Sequence, residues 1–229
     1  MQHGVRTVQS ELEHALGIFF RTRGKRVAVA LAGRTDAGVH AEGQVAHFDI
    51  ESRFVLEAGL TEALAPVDLK RMCWALNGIL PEDLSISAAS RAAERFHARH
   101  SALERSYVYK ILNREQPSAL ERDYTFFVPA PLEVDCMRRA CRELLGTHDF
   151  IAFKSSSLKP AASICTVKRS ELLSLGEGKL EFWITSDHFV YNMVRIIVGT
   201  LLEIGLGKRP ETALSEALTS QDRQQAGPT

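Results

Sequence analysis

A carboxylate stands between an arginine and a histidine in the run Ala32-Gly33-Arg34-Thr35-Asp36-Ala37-Gly38-Val39-His40. Apolar Val27-Ala28-Val29-Ala30-Leu31 precedes it and Gln44-Val45-Ala46-His47-Phe48-Asp49-Ile50 follows, and both read as strands. Asp36 is thus held in a glycine-punctuated loop at a strand end, where rigid scaffolds commonly carry reactive groups. Its chemistry would be nucleophilic or acid–base. A plain turn, with Thr35 or Asp36 bonding nearby amides, fits the same residues.

Arg195 lies in Val190-Tyr191-Asn192-Met193-Val194-Arg195-Ile196-Ile197-Val198, with mostly apolar neighbours one helical turn away. A buried arginine needs an anion. Asp36 is one candidate, because a guanidinium can grip a carboxylate through two bonds and keep it ionised. Extension of Arg195 into solvent, or pairing with Glu203 or Asp187, fits equally well. Tyr107 offers a ring that can stack on a nucleobase and a hydroxyl that can pass a proton, or it serves as a sheet residue.

Other chemistries lack their signatures. The four cysteines (Cys73, Cys136, Cys141, Cys165) form no CxxC pair, and no Cys/His cluster has zinc spacing. His40, His47, His97 and His148 have no metal-like spacing and read as structural or ligand-contacting, with no metal expected. Neither GxGxxG nor GxxxxGK[ST] occurs, so no nucleotide cofactor is expected. A second carboxylate of the kind glycosidases use is not marked. The longest apolar run, Met193 to Leu206, is broken by Arg195 and Glu203, so a membrane span is not expected. With no signal-peptide pattern and thiols read as reduced, the expected location is cytoplasmic.

The 28 basic residues balance the 28 acidic ones, which by itself argues against a nucleic-acid binder. Their distribution does not. Residues 91–114 carry Arg91, Arg95, Arg99, Arg105, Lys110 and Arg114 against Glu94 and Glu104. Residues 154–169 carry Lys154, Lys159, Lys168 and Arg169 and no acid, whereas six acids between Glu42 and Asp68 face only Arg53. Such unevenness can leave a basic surface on a neutral protein.

The elements that must position these groups follow from periodicity. Val8, Leu12, Ala15, Leu16 and Phe19 predict a helix behind an N-cap at Thr7, ended by Gly24. A second helix is predicted over 68–76, stopped by Asn77-Gly78, and a strand over 84–89. The stretch from Glu51 to Pro66 is an extended connection without an assigned role. The polar, basic segment 91–102 marks a boundary, giving domains 1–101 and 102–229. Beyond it, strands are expected from Tyr107 to Leu112 and from Tyr124 to Val128. A helix around Val134–Leu145 follows, closed by Gly146. Strands 164–174 and 179–185 flank a Gly176-Glu177-Gly178 turn, and helices run near 191–204 and 211–218. This mixture, without steady βαβ alternation, predicts an α+β fold with a largely antiparallel sheet.

The chain resembles the tRNA pseudouridine synthase A family. Its signature Gly-Arg-Thr-Asp-Ala-Gly-Val-His is unbroken at Gly33–His40, and the match continues at Gly43, Gln44, Val45, His47 and Phe48. It returns in Phe96-His97-Ala98-Arg99, in Arg105-Ser106-Tyr107-Val108-Tyr109 and in Phe189-Val190-Tyr191-Asn192-Met193-Val194-Arg195. The resemblance implies two ferredoxin-like (RRM-like) halves with helices on one side and the catalytic cleft between them. It implies an isomerase that converts uridine to pseudouridine at positions 38 to 40 of the tRNA anticodon arm, without a cofactor, as a homodimer. It implies Asp36 as nucleophile, Arg195 as its active-site partner, Tyr107 rather than Tyr109 at the reacting base, and Arg34 holding the RNA. Phe96, His97 and Arg99 are expected to touch the RNA.

Relative to the family the chain starts at Met1-Gln2-His3-Gly4, without an earlier strand and Gly-Trp-Gln-like segment, and stops at Gly227-Pro228-Thr229 before a final strand. Both halves are therefore expected to be truncated, with an RNA-binding module of impaired catalysis as the alternative function. A small-molecule enzyme using Asp36 as acid or base is the reading from another class.

Overall fold

A computed structural model describes residues 6–61, 63–155 and 162–229; Met1–Gly4 and Lys159, singled out above, lie outside them. The fold is α+β, as expected. It divides into two compact units, 1–102 and 103–229.

In the first unit, helix α1 (Val8–Phe19) starts as predicted: the Thr7 hydroxyl accepts from Ser10 N–H while the Ser10 hydroxyl accepts from Thr7 N–H. Strands β1 (Val29–Leu31) and β2 (Ala46–Phe48) pair antiparallel, with Ala30 opposite His47. Helix α2 (Ser52–Glu57) replaces the extended connection expected there and sinks Phe54 and Val55 into the core. The neighbouring acids are engaged as well. Glu51 pairs with Lys25 and Arg53, and buried Asp68 accepts the Ala65 N–H at 3.1 Å at the start of α3 (Pro66–Asn77). The strand expected over 84–89 does not form. The backbone of Ile86 is taken by the Asn77 side chain, through its N–H at 2.7 Å and its carbonyl at 2.9 Å, which leaves it no strand partner. Leu84, Ile86 and Ala89 still pack on the core of Ala15, Leu16, Phe20, Val29, Met72 and Leu76.

Glu13 ties α1 to β1. The residue is 8% exposed, and its carboxylate accepts from Arg26 (2.7 and 2.8 Å), Gln9 (3.0 Å) and Val29 N–H (3.2 Å). Burial pushes its pKa up, but these donors outweigh burial and hold it below the usual glutamate range. A depressed folded-state pKa adds stability above the unfolded value, about 4.3, and that stability is lost as pH falls through the folded value. Glu13→Ala is expected to cost about 2 kcal/mol at pH 7, chiefly through the donors left unmet. Denaturant melts at pH 7 and pH 3 check this, because the difference between variant and parent must shrink in acid.

The second unit is built on a five-stranded sheet ordered β4-β3-β7-β6-β5. Its strands are β3 (Arg105–Asn113), β4 (Phe126–Val128), β5 (Gly146–Asp149), β6 (Ile164–Gly176) and β7 (Lys179–Ser186). All pairings are antiparallel except β3 with β4. Helix α4 (Val134–Arg142) lies between β3 and β6 in sequence, and α5 (Met193–Gly205) follows β7, the connectivity of a ferredoxin-like half. Gly146 does not close a helix: α4 ends at Arg142, and Gly146, at φ +104°, opens strand β5, which periodicity missed. The β6–β7 hairpin turns at the predicted glycines, where Gly178 sits at φ +75° with the Asn113 carbonyl filling the space a Cβ would need. One sheet face, with Ile111, Leu180, Phe182 and Ile184, packs on Met137, Cys141, Ile196 and Ile197. Helix α6 (Ala213–Ser220) completes that core with Ala213, Leu214 and Ala217.

All four cysteines are free, as expected. Burial raises the Cys141 and Cys165 thiols to about 12, so both stay protonated.

Candidate active site

In the first unit the Asp36 loop hangs between β1 and β2. Ala32 N–H donates to the Val45 carbonyl at 2.8 Å, continuing the ladder, and Gln44 Nε2 donates to the Gly33 carbonyl at 3.2 Å, so the base of the loop is strapped. At its tip Val39 N–H bonds the Asp36 carbonyl at 3.1 Å, with Gly38 at φ +79° in the third position of the turn. Only glycine takes that conformation freely, which explains Asp36-Ala37-Gly38 as a local sequence. Arg34, Thr35 and Asp36 are exposed. Among the described residues of this unit the Asp36 carboxylate has no hydrogen-bond partner. The flanking strands stop at Leu31 and resume at Ala46, and the loop between them is exposed at Asp36.

The Phe96–Arg99 segment packs against β2. Ala98 is 3% exposed and its N–H donates to His47 Nδ1 at 3.1 Å. The His47 ring lies 6.0 Å from that of Phe96 and 4.6 Å from that of His97, whose far side meets His100 at 4.4 Å. Phe96 and Arg99 are exposed and His97 is half-buried. Burial lowers the His97 pKa, and the neighbouring His100, His47 and Arg99 lower it further, so the ring stays neutral near pH 7.

In the second unit Tyr107 and Tyr109 point to the same sheet face, opposite Ile184 and Phe182 on β7. Tyr107 is half-buried and meets the edge of Phe189 at 4.9 Å and 89°. Burial raises the Tyr109 hydroxyl's pKa, and the charge of Arg195 opposes that rise, so Arg195 acts electrostatically on this tyrosine face. Helix α5 is preceded by Asn192, a non-glycine residue at φ 63°, whose Nδ2 donates to Ser155 Oγ at 3.0 Å. Arg195 itself is exposed. The buried stripe of α5 runs through Met193, Ile196, Ile197, Thr200, Leu201 and Ile204 and leaves Arg195 outside it. Burial thus places no demand on Arg195 for an anion. The alternative partners are occupied: Glu203 pairs with Arg209, and Asp187 accepts from Thr166 and His188 N–H.

Tyr107 and Tyr109 share this face as their alternation in the strand implies, and Phe189, which was not expected there, joins them. The two-residue spacing of Tyr107 and Tyr109 in a strand was the available signal. His148 is structural, its Nε2 bonded to the Leu145 carbonyl at 2.8 Å. Among the described residues no group of three or more His, Cys, Asp or Glu is placed to hold a metal ion, and no helix is long and apolar enough to cross a membrane.

Comparison with known proteins defines the class. A family model described as "tRNA pseudouridine synthase" matches residues 140–229. Over the full chain the sequence is 41% identical to tRNA pseudouridine synthase A of Geobacillus sp. (strain WCH70), covering 86% of that protein. It is 41% identical to the protein of the same name from Halalkalibacterium halodurans, covering 81% of it, and 38% identical to that of Bacillus subtilis (strain 168), covering 87%. The chain belongs to the tRNA pseudouridine synthase A family, and so to the isomerases.

Proposed function

We propose that this chain converts uridine to pseudouridine in tRNA, at positions 38 to 40 of the anticodon arm, with Asp36 as nucleophile. The observation that carries this reading is the unbroken Gly33–His40 loop, presented to solvent at a strand end in a chain that aligns over its whole length with named synthases. The reaction breaks the N1–C1′ bond, turns the uracil and joins C5 to C1′; the C5 proton leaves and N1 gains one. Nothing is oxidised or reduced, so the chemistry requires no cofactor. A stacked base cannot turn, so the uridine must first leave the helix. Asp36 then adds to C1′ or to C6, or removes a sugar proton to form a glycal. Tyr107 is assigned to stacking on the everted base and Arg195 to keeping the reacting carboxylate ionised. Arg34, Phe96, His97 and Arg99 are assigned to holding the RNA, Arg34 and Arg99 through phosphate. Two copies are proposed to hold one tRNA jointly, and the cytoplasm, where tRNA is used, is the proposed location.

Tritium release from C5-labelled uridine tests the reading. Transcripts with uridine at 38, 39 or 40 are expected to release label. The same transcripts with cytidine at all three positions are expected to release none, and undiminished release from them would refute the assigned positions.

A further inference from the structure

We propose that His47 is the positioning residue that docks the Phe96–Arg99 segment onto β2 and so sets its grip on RNA. This rests on the reading of Phe96, His97 and Arg99 as RNA-holding residues. Side chains alternate along β2: Phe48 turns to the core, 5.9 Å from Phe20, and His47 turns to the opposite face. There one imidazole meets three successive residues, the rings of Phe96 and His97 and the N–H of Ala98. Because Nδ1 accepts from Ala98, the proton of neutral His47 sits on Nε2. Ala98 is buried, so without His47 its N–H has no water to turn to. The segment is also folded on itself. The His97 carbonyl accepts from Ser101 N–H at 2.8 Å, His97 N–H donates to Ser101 Oγ at 3.0 Å, and Arg99 N–H donates to His97 Nδ1 at 3.2 Å. It therefore moves as a unit, and His47 fixes where that unit sits, against the strand that leaves the Asp36 loop.

Three variants of the full chain separate this from a packing role. His47→Asn keeps an acceptor near the place of Nδ1, His47→Gln carries its acceptor one bond too far, and His47→Leu fills the space without one. The expected result is a KM for tRNA raised about five- to tenfold in the Leu and Gln variants, with kcat within about twofold, and a KM near that of the parent in the Asn variant. Hydrogen exchange at the Ala98 amide is expected to speed up in Leu and Gln and to stay slow in Asn. If the Leu variant does not fold, the Asn–Gln comparison decides. Equal exchange and equal KM in Asn and Gln overturn the proposal. Faster exchange at Ala98 with unchanged KM also overturns it and traces the fault to the RNA-holding assignment of Phe96–Arg99, whereas intact exchange traces the fault to His47.

Discussion

Asp36→Asn is expected to abolish tritium release, lowering the rate by more than about ten-thousandfold, the scale seen when an attacking group is removed from an enzyme. Asparagine keeps the shape and loses the charge and nucleophilicity. The substitution should leave the protein intact. The carboxylate is exposed and, among the described residues of its unit, makes no hydrogen bond; only the backbone carbonyl of Asp36 is used, by Val39. Thermal melts of parent and variant should coincide, and tRNA affinity should change by less than the rate does. A variant that retains a tenth of the parent's rate would remove Asp36 from the chemistry and return the loop to the role of a turn.

The largest expected loss of stability follows Phe182→Ala. Phe182 is fully buried at the centre of β7, between Tyr109 on β3 and Leu172 on β6. Deleting its ring removes the transfer energy and leaves a cavity, about 3–5 kcal/mol together. That is a large share of the 5–15 kcal/mol typical of a folded domain. Phe182→Leu, which nearly refills the site, should cost less than about 1.5 kcal/mol. Urea midpoints measure both, and an alanine variant as stable as the leucine variant would mean that this face is less tightly packed than the structure shows.

What the sequence made legible depended on where hydrogen bonds and burial agree with local pattern. Helix α1 announces itself through Thr7 and its apolar spacing, and β6–β7 through the two glycines about Glu177. The 84–89 segment failed for a reason no pattern contains: Asn77, read correctly as a helix stop, reaches across and satisfies Ile86 on both sides. Strand β5 was hidden because Gly146 suits a helix end as well as a strand start. Arg195 misled through its apolar neighbours, for the burial of one helix face says little about a residue beside it. The glycine-punctuated loop around Asp36, and the order in which Asp36, Tyr107 and Arg195 follow along the chain, are plain in the sequence. The part His47 plays is not, because its partner, the Ala98 amide, lies fifty-one residues away.

The openness of the Asp36 loop bears on selectivity. A carboxylate bathed in water is a weak and unselective reagent. A bound polynucleotide, with its sugar–phosphate chain and neighbouring bases, can displace water from such a loop. Loose uridine or its monophosphate brings no such cover, so on the proposed reading it is expected to react far more slowly than uridine within tRNA.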